Sequence, residues 1–291
     1  MIKKTIWLLI ICLFSIIDIT LAGGGWVHHK GRGYFKISQW WVVADKHYTD
    51  TGDTDPNITM GTFNTSLYGE YGITDRLNVQ AYIPFFSRSY HNEVVSGTTG
   101  SLSIAGNAVN SFGDTNIGLK YGLLTDKPIV LSAHMWLGLP FGKNDYDPND
   151  TAVVPLLTGD GEFNQIIGLT ASTSKALGKI NAFTSLGVEF NNRTNGFSDE
   201  TRVNFELGAV FIEKLILVYK LQWLNSLQNG DSNVENGASI FSNNAEFLAY
   251  TYEIAYNVTD KIGITFNYGS VYSAKLIFAS PSYSAGVYFN L

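Results

Sequence analysis

The side chains best suited to chemistry are five histidines: His28, His29, His47, His91 and His134. None stands in an H-E-x-x-H or comparable spacing that would set two imidazoles on one metal ion. His28-His29 precedes the first strand, where a solvated tail is the expected reading. Ser132 and His134 raise the question of a hydrolase, since a serine nucleophile needs a base within hydrogen-bond reach and a third group to orient that base. Two residues apart in a strand, however, they share a face and point in parallel, so His134 is expected as a polar lumen residue. Two acidic runs, Asp50-Thr51-Gly52-Asp53-Thr54-Asp55 and Asp145-Tyr146-Asp147-Pro148-Asn149-Asp150, offer oxygen ligands to calcium. Neither matches the twelve-residue EF-hand loop, and solvated loops are the expectation. No catalytic residue, metal site or cofactor is assigned.

The elements that must position these groups begin after an export signal. Lys3 and Lys4 precede an apolar run from Ile6 to Ile17, and Thr20-Leu21-Ala22 places small residues where a signal peptidase reads. The run is shorter than the ~20 residues a spanning helix needs, which disfavours a membrane anchor. The expected organisation is a signal peptide over 1–22, a short periplasmic arm over 23–33 and one barrel domain over 34–291. Cys12 is the only cysteine and falls in the signal, so the mature chain has no thiol, disulfide or thiolate ligand. Removing the signal takes the formal charge from −6 to −7, which argues against a nucleic-acid partner.

The chain is 45% hydrophobic, yet beyond the signal no apolar stretch is long enough for a transmembrane helix. The apolar residues must therefore alternate with polar ones. Thr74-Asp75-Arg76, Thr125-Asp126-Lys127 and Thr259-Asp260-Lys261 are near copies, each following a strand end with tyrosine. With turns at Gly178 and Glu213-Lys214 they make five tight connections. Six longer polar connections lie between them: Thr49 to Asn57, Ser87 to Ser111, Lys143 to Glu162, Asn191 to Glu200, Ser226 to Asn244 and Ser273 to Ser280. Short and long connections alternate, as in an up-and-down outer-membrane β-barrel with short periplasmic turns and long extracellular loops. About twelve antiparallel strands follow.

Period-two alternation assigns the faces. Leu77, Val79, Ala81, Ile83 and Phe85 share one face of a strand; Val203, Phe205, Leu207, Ala209 and Phe211 share one face of another. Tyr71, Tyr121, Phe211 and Tyr256 near the short turns, and Phe85, Phe141, Phe190 and Trp223 near the long loops, form two aromatic girdles. The opposite face carries the candidate lumen and solute contacts: Glu70, Lys120, His134, Glu189, Arg202, Glu206 and Lys220. An Arg or Lys among these in lipid would cost about 2–4 kcal/mol near the midplane, and a Glu less. Register about the turns sets Glu189 opposite Arg202 and Glu206 near Lys220. Such pairs serve equally as wall support or as solute contacts.

The last strand alternates Tyr283, Ala285, Val287, Phe289 and Leu291 to the end of the chain. It resembles the C-terminal signal read by the barrel-assembly machinery, with Leu291 in place of the usual aromatic. Gly113-Asp114-Thr115-Asn116-Ile117-Gly118-Leu119-Lys120-Tyr121 and Gly138-Leu139-Pro140-Phe141-Gly142 resemble the outer-membrane transporter family named after the meta-pathway of phenol degradation. Ile83-Pro84-Phe85 and Gly159-Asp160-Gly161 to Gly168-Leu169 extend the likeness, which covers Gly61 to Leu169 and elsewhere is one of architecture. The resemblance implies a barrel transporter, with hydrophobic or aromatic compounds among its cargo.

Twelve strands enclose a bore between the filled lumen of eight and the aqueous channel of sixteen. The expectation is passive, size-selective uptake of small solutes across a bacterial outer membrane, by a non-enzymatic protein in contact with lipid and lipopolysaccharide. The arm is too short for a plug domain, so the expected constriction is wall side chains or an inward-folded loop, Ser87 to Ser111 first. A non-conducting surface or adhesive barrel is the alternative, and an outer-membrane hydrolase comes after it.

Overall fold

The computed structural model describes residues 24–144, 156–232, 234 and 240–291. The expected signal peptide and the acidic run Asp145 to Asp150 lie outside these residues. Fifteen strands are found: β1 (Gly33–Tyr48), β2 (Thr54–Gly72), β3 (Leu77–His91), β4 (Val94–Val95), β5 (Leu102–Ile104), β6 (Asn107–Ser111), β7 (Thr115–Leu124), β8 (Ile129–Leu139), β9 (Asn164–Leu177), β10 (Ile180–Arg193), β11 (Glu200–Phe211), β12 (Leu215–Ser226), β13 (Glu246–Asn257), β14 (Ile262–Lys275) and β15 (Ser282–Asn290). Twelve of them, β1 to β3 and β7 to β15, form one closed antiparallel wall. Each pairs with its neighbours in chain order, β3 pairs with β7, and β15 pairs with β1 from Tyr34 opposite Asn290 to Val42 opposite Ser282.

Burial is inverted relative to a water-soluble protein, which separates a barrel from a β-sandwich. Glu70, Asn78, Asn191 and Ser132 are 1% exposed or less, whereas Ile37, Ile167 and Leu186 exceed 50%. A sandwich would bury its apolar face between the sheets; here that face looks outward and the polar face inward, as a lipid-facing wall requires. The outward Tyr71, Tyr121, Tyr256, Phe85, Phe141, Phe190 and Trp223 are all more than a third exposed.

The five tight turns lie where the sequence places them, and the chemistry of the repeat is visible. Thr74 Oγ1 accepts the N–H groups of Arg76 (3.2 Å) and Leu77 (2.9 Å), and Thr259 Oγ1 accepts those of Lys261 and Ile262 at the same distances. One hydroxyl thus satisfies two turn amides. The β11–β12 turn uses Ile212 and Glu213 with φ of 46° and 62°, the paired positive values of a type I′ hairpin.

The connections after β1, β10 and β14 are shorter than expected because the flanking strands run into them, whereas the β8–β9 connection, 140–163, is longer. β3 continues to His91 and is met by β6, with Ser87 opposite Ser111, while β4 and β5 form a separate ribbon. The two ends of Ser87 to Ser111 therefore extend the wall. The β3–β7 ladder stops at Tyr82 opposite Asn116, just before Pro84, which has no N–H to donate. Its carbonyl instead accepts Gly113 N at 2.8 Å.

Candidate functional site: a lumen narrowed at both ends

All seven predicted lumen residues lie on inward strand positions, and the two registers hold: Glu189 is opposite Arg202 and Glu206 opposite Lys220. Partner choice departs from register. Glu189 bonds His134 Nε2 at 3.1 Å, Arg202 turns to Glu200 at 2.6 Å, and Lys220 lies 3.6 Å from Glu206 but 3.1 Å from Glu253. Glu70 and Lys120 meet at 2.8 Å across the intervening β3, a pair that adjacent-strand register could not show. Asn78 and Gln80 of β3 and Tyr68 also donate to the Glu70 carboxylate. A buried charge so surrounded has its desolvation offset by four hydrogen bonds. His134 Nε2 is committed to Glu189, not to Ser132. Among the described residues no group of His, Cys, Asp or Glu is placed to hold a metal. In the Asp50 to Asp55 run, Asp53 is engaged by Thr51 and Thr49 within its own turn.

The arm is not a solvated tail. It enters the lumen at the short-turn end, and His28 is 8% exposed. Gly25 N donates to Ser172 Oγ at 2.7 Å, the Trp26 carbonyl accepts Lys120 Nζ at 3.3 Å, and the Trp26 ring meets Phe183 edge-on at 6.3 Å. Gly31 N and Gly72 O, then Gly72 N and Arg32 O, are joined at 2.9 Å. A Cβ on Gly72 would sit 2.3 Å from the His29 carbonyl, so glycine there is the condition for the arm to cross. Lys30 N caps Asp75 at 3.0 Å, and this backbone bond holds the Asp75 carboxyl below its ordinary range. Glycine-rich sequence without periodicity gave no sign of this docking.

The long-loop end is narrowed by the β8–β9 connection. Leu156 packs among Val42, Ala44, Met60 and Phe278 on the far wall, and Val109 of Ser87 to Ser111 is packed against the same cluster. Asp114 binds the returning chain, accepting Gly142 N and Asp160 N, each at 2.9 Å. Cβ atoms on Gly142 or Gly159 would fall within 2.6 Å of Gly159 Cα and Asp114, respectively. Of the residues that carry the family resemblance, Asp114, Gly142, Gly159 and Asp160 thus converge on one buttress. Arg193 is buried between Glu162, Glu200 (2.7 Å) and Asp160 (3.5 Å). Burial, then the neighbouring Asp160 charge, raises Asp114 to about 7; burial, then the Glu162 charge, raises Asp160 to about 7. Sequence reasoning missed this cluster because its members lie in or beside segments read as solvated loops.

Between these two narrowings lies an open cavity of about 190 Å³. Gly24 of the arm bounds it, and Gln80, Lys120, His134, Trp136, Glu189 and Glu206 are among the lining residues. Four of the seven predicted residues meet there; Glu70, Arg202 and Lys220 stand outside the lining.

No protein-family model matches the chain, and no curated relative does. Among solved structures, an outer-membrane channel from Pseudomonas putida F1 overlays with a TM-score of 0.56 at 15% identity, covering 92% of this chain and 98% of that one. A NanC porin overlays at 0.48 and 11% identity, covering 88% and 100%. The likeness to the Pseudomonas channel is one of fold, and with the wall described above it makes the chain a closed twelve-strand antiparallel barrel of the outer-membrane type.

Proposed function

We propose that the protein is a bacterial outer-membrane channel for passive diffusion of small solutes, narrowed at rest by its N-terminal arm. The observation that carries this reading is the polar chamber inside a closed barrel, bounded on one side by the arm and not by the wall. The outward apolar belt fits membrane lipid and, at the long-loop end, lipopolysaccharide. The export signal and the alternating last strand support delivery to the barrel-assembly machinery. Ser132 Oγ makes no hydrogen bond to His134, which leaves that serine without an activating base and supports a non-enzymatic role. Membership of the phenol-degradation transporter family, and with it hydrophobic or aromatic cargo, is the finer reading; the Asp114 buttress supports the first, while the chamber lends the second only Trp136. Conductance in planar bilayers and liposome swelling test the channel directly. Protein lacking residues 24–31 is expected to conduct more than the intact chain, and silence of both forms would leave the adhesive barrel as the better reading.

A further inference from the structure

We propose that the outward face of β13, β14, β15, β1 and β2 is a surface on which a second copy of this chain docks within the membrane, with Gln39 at the two-fold axis. The surface lies on the outside of the wall, so it stands apart from whether the lumen conducts.

The two halves of the belt differ in chemistry. On β9 to β11 the outward Ile167, Leu169, Leu186, Val188 and Leu207 are all at least 45% exposed, and such an aliphatic face suits lipid tails. Across the β1–β15 seam the belt carries a row of aromatic residues in register: Tyr252 opposite Tyr268, Tyr268 opposite Tyr283, and Tyr283 opposite Trp41. The Tyr268 and Tyr283 rings lie 5.5 Å apart and those of Tyr283 and Trp41 5.9 Å. Such a row is not a girdle. Register partners run perpendicular to the strands, and barrel strands tilt by about 35–45°, so the row climbs through the belt instead of holding one depth. Tyr252, 51% exposed, accordingly stands next to the outward Ile254 and away from the headgroups.

A polar pair at belt depth points the same way. Gln39 faces outward between Ile37 (56% exposed) and Val43 (40%). Its Oε1 accepts Thr65 Oγ1 at 2.6 Å, from its register partner on β2, and its Nε2 donates to the Trp40 carbonyl at 3.2 Å. The amide carries two N–H groups, so one is left facing lipid, where no water replaces a missing partner. Symmetry decides what supplies the acceptor. In a two-fold interface the residue on the axis meets its own copy, and an amide, both donor and acceptor, pairs with itself, as does a tyrosine hydroxyl. The outward positions from Phe35 to Val43, Gly61 to Tyr71 and Tyr283 to Phe289 carry no charged side chain, so a copy meets no like charge. Five strands about 4.8 Å apart and a belt about 25 Å tall offer about 600 Å² per copy, against the ~1,000 Å² in total that a specific interface needs.

Disulfide trapping in membrane fractions tests this. Gln39→Cys is expected to give a dimer band on oxidation, while Leu186→Cys on the aliphatic half and the unaltered chain give none. Independently, sedimentation of the purified protein in detergent is expected to show a monomer–dimer equilibrium that Gln39→Leu weakens about tenfold, with heat-shifted gel mobility confirming a folded barrel. A chain that stays monomeric at every concentration, or trapping as strong through Leu186→Cys as through Gln39→Cys, overturns the proposal and leaves the face to lipid.

Discussion

The two ends of the lumen are narrowed by different physics. At the short-turn end the N-terminal arm is held by backbone amides, one serine hydroxyl, a lysine and an edge-on aromatic contact. At the other, a segment tethered on both sides is held by a buried arginine, four carboxyl groups and an apolar cluster around Leu156. The first is held by a few polar contacts and one ring contact spread along a short segment. The second can only loosen, and its carboxyl groups tie that loosening to pH. The arm therefore has the character of a gate and the buttressed loop that of a fixed constriction.

Deleting residues 24–31 is the most severe challenge to this contrast: single-channel conductance should rise by the largest margin of any change described, with the barrel intact on gels. No rise would place the limiting constriction at the other end. Next comes Arg193→Met, which strands Glu162 and Asp160 beside an apolar side chain and leaves Glu200 to Arg202. Losing one partner of a buried ionic group costs about 3–5 kcal/mol, here visible as faster hydrogen exchange over 156–163. Unchanged protection there would show that Leu156 alone holds the loop.

A smaller effect is the pH dependence of the same loop. Asp114 and Asp160 hold their protons in the closed loop up to about 7, against an ordinary value of 3.8. The closed form therefore binds more protons than the open one between those values, and its stability falls as pH rises from about 4 to about 7. Exchange over 156–163, corrected for intrinsic rates, should accelerate across that window while the arm does not change; a flat profile would separate these carboxyl groups from loop opening. The smallest change is Ser172→Ala, which removes the acceptor for Gly25 N. A loss of about 1 kcal/mol, or about fivefold in open probability, is expected from one such bond, and unchanged gating would show that Trp26 carries the arm.

What could be read in the sequence follows from what is periodic. Val203 to Phe211 declares its two faces at every second residue, and Thr74 and Thr259 declare their turns, so wall, strand number and inward charges were all accessible. Register about the β11–β12 turn even placed Glu206 by Lys220. Side-chain reach was not accessible: Glu189 prefers His134 on β8, two strands away, because lumen side chains lean along and across the wall rather than stopping at the opposite residue. Glu70 and Lys120 are separated by β3 for the same reason. Gly24-Gly25-Trp26 has no repeat to betray a docked conformation, and Asp114 and Asp160 lie 46 residues apart in segments whose polarity suggested only solvent.

The seam between β1 and β15 bears on how the molecule comes to exist. It joins the first and last strands of the wall, so no partial barrel lacks exposed edges, and the step that removes them also closes the longest loop in the chain. The arm leads directly into β1, one lip of that seam. A chain that zips shut with the arm inside is finished, whereas one that shuts with it outside must thread it back through the short-turn mouth. Order of events during assembly, and not affinity alone, then decides whether the newborn barrel starts its life shut.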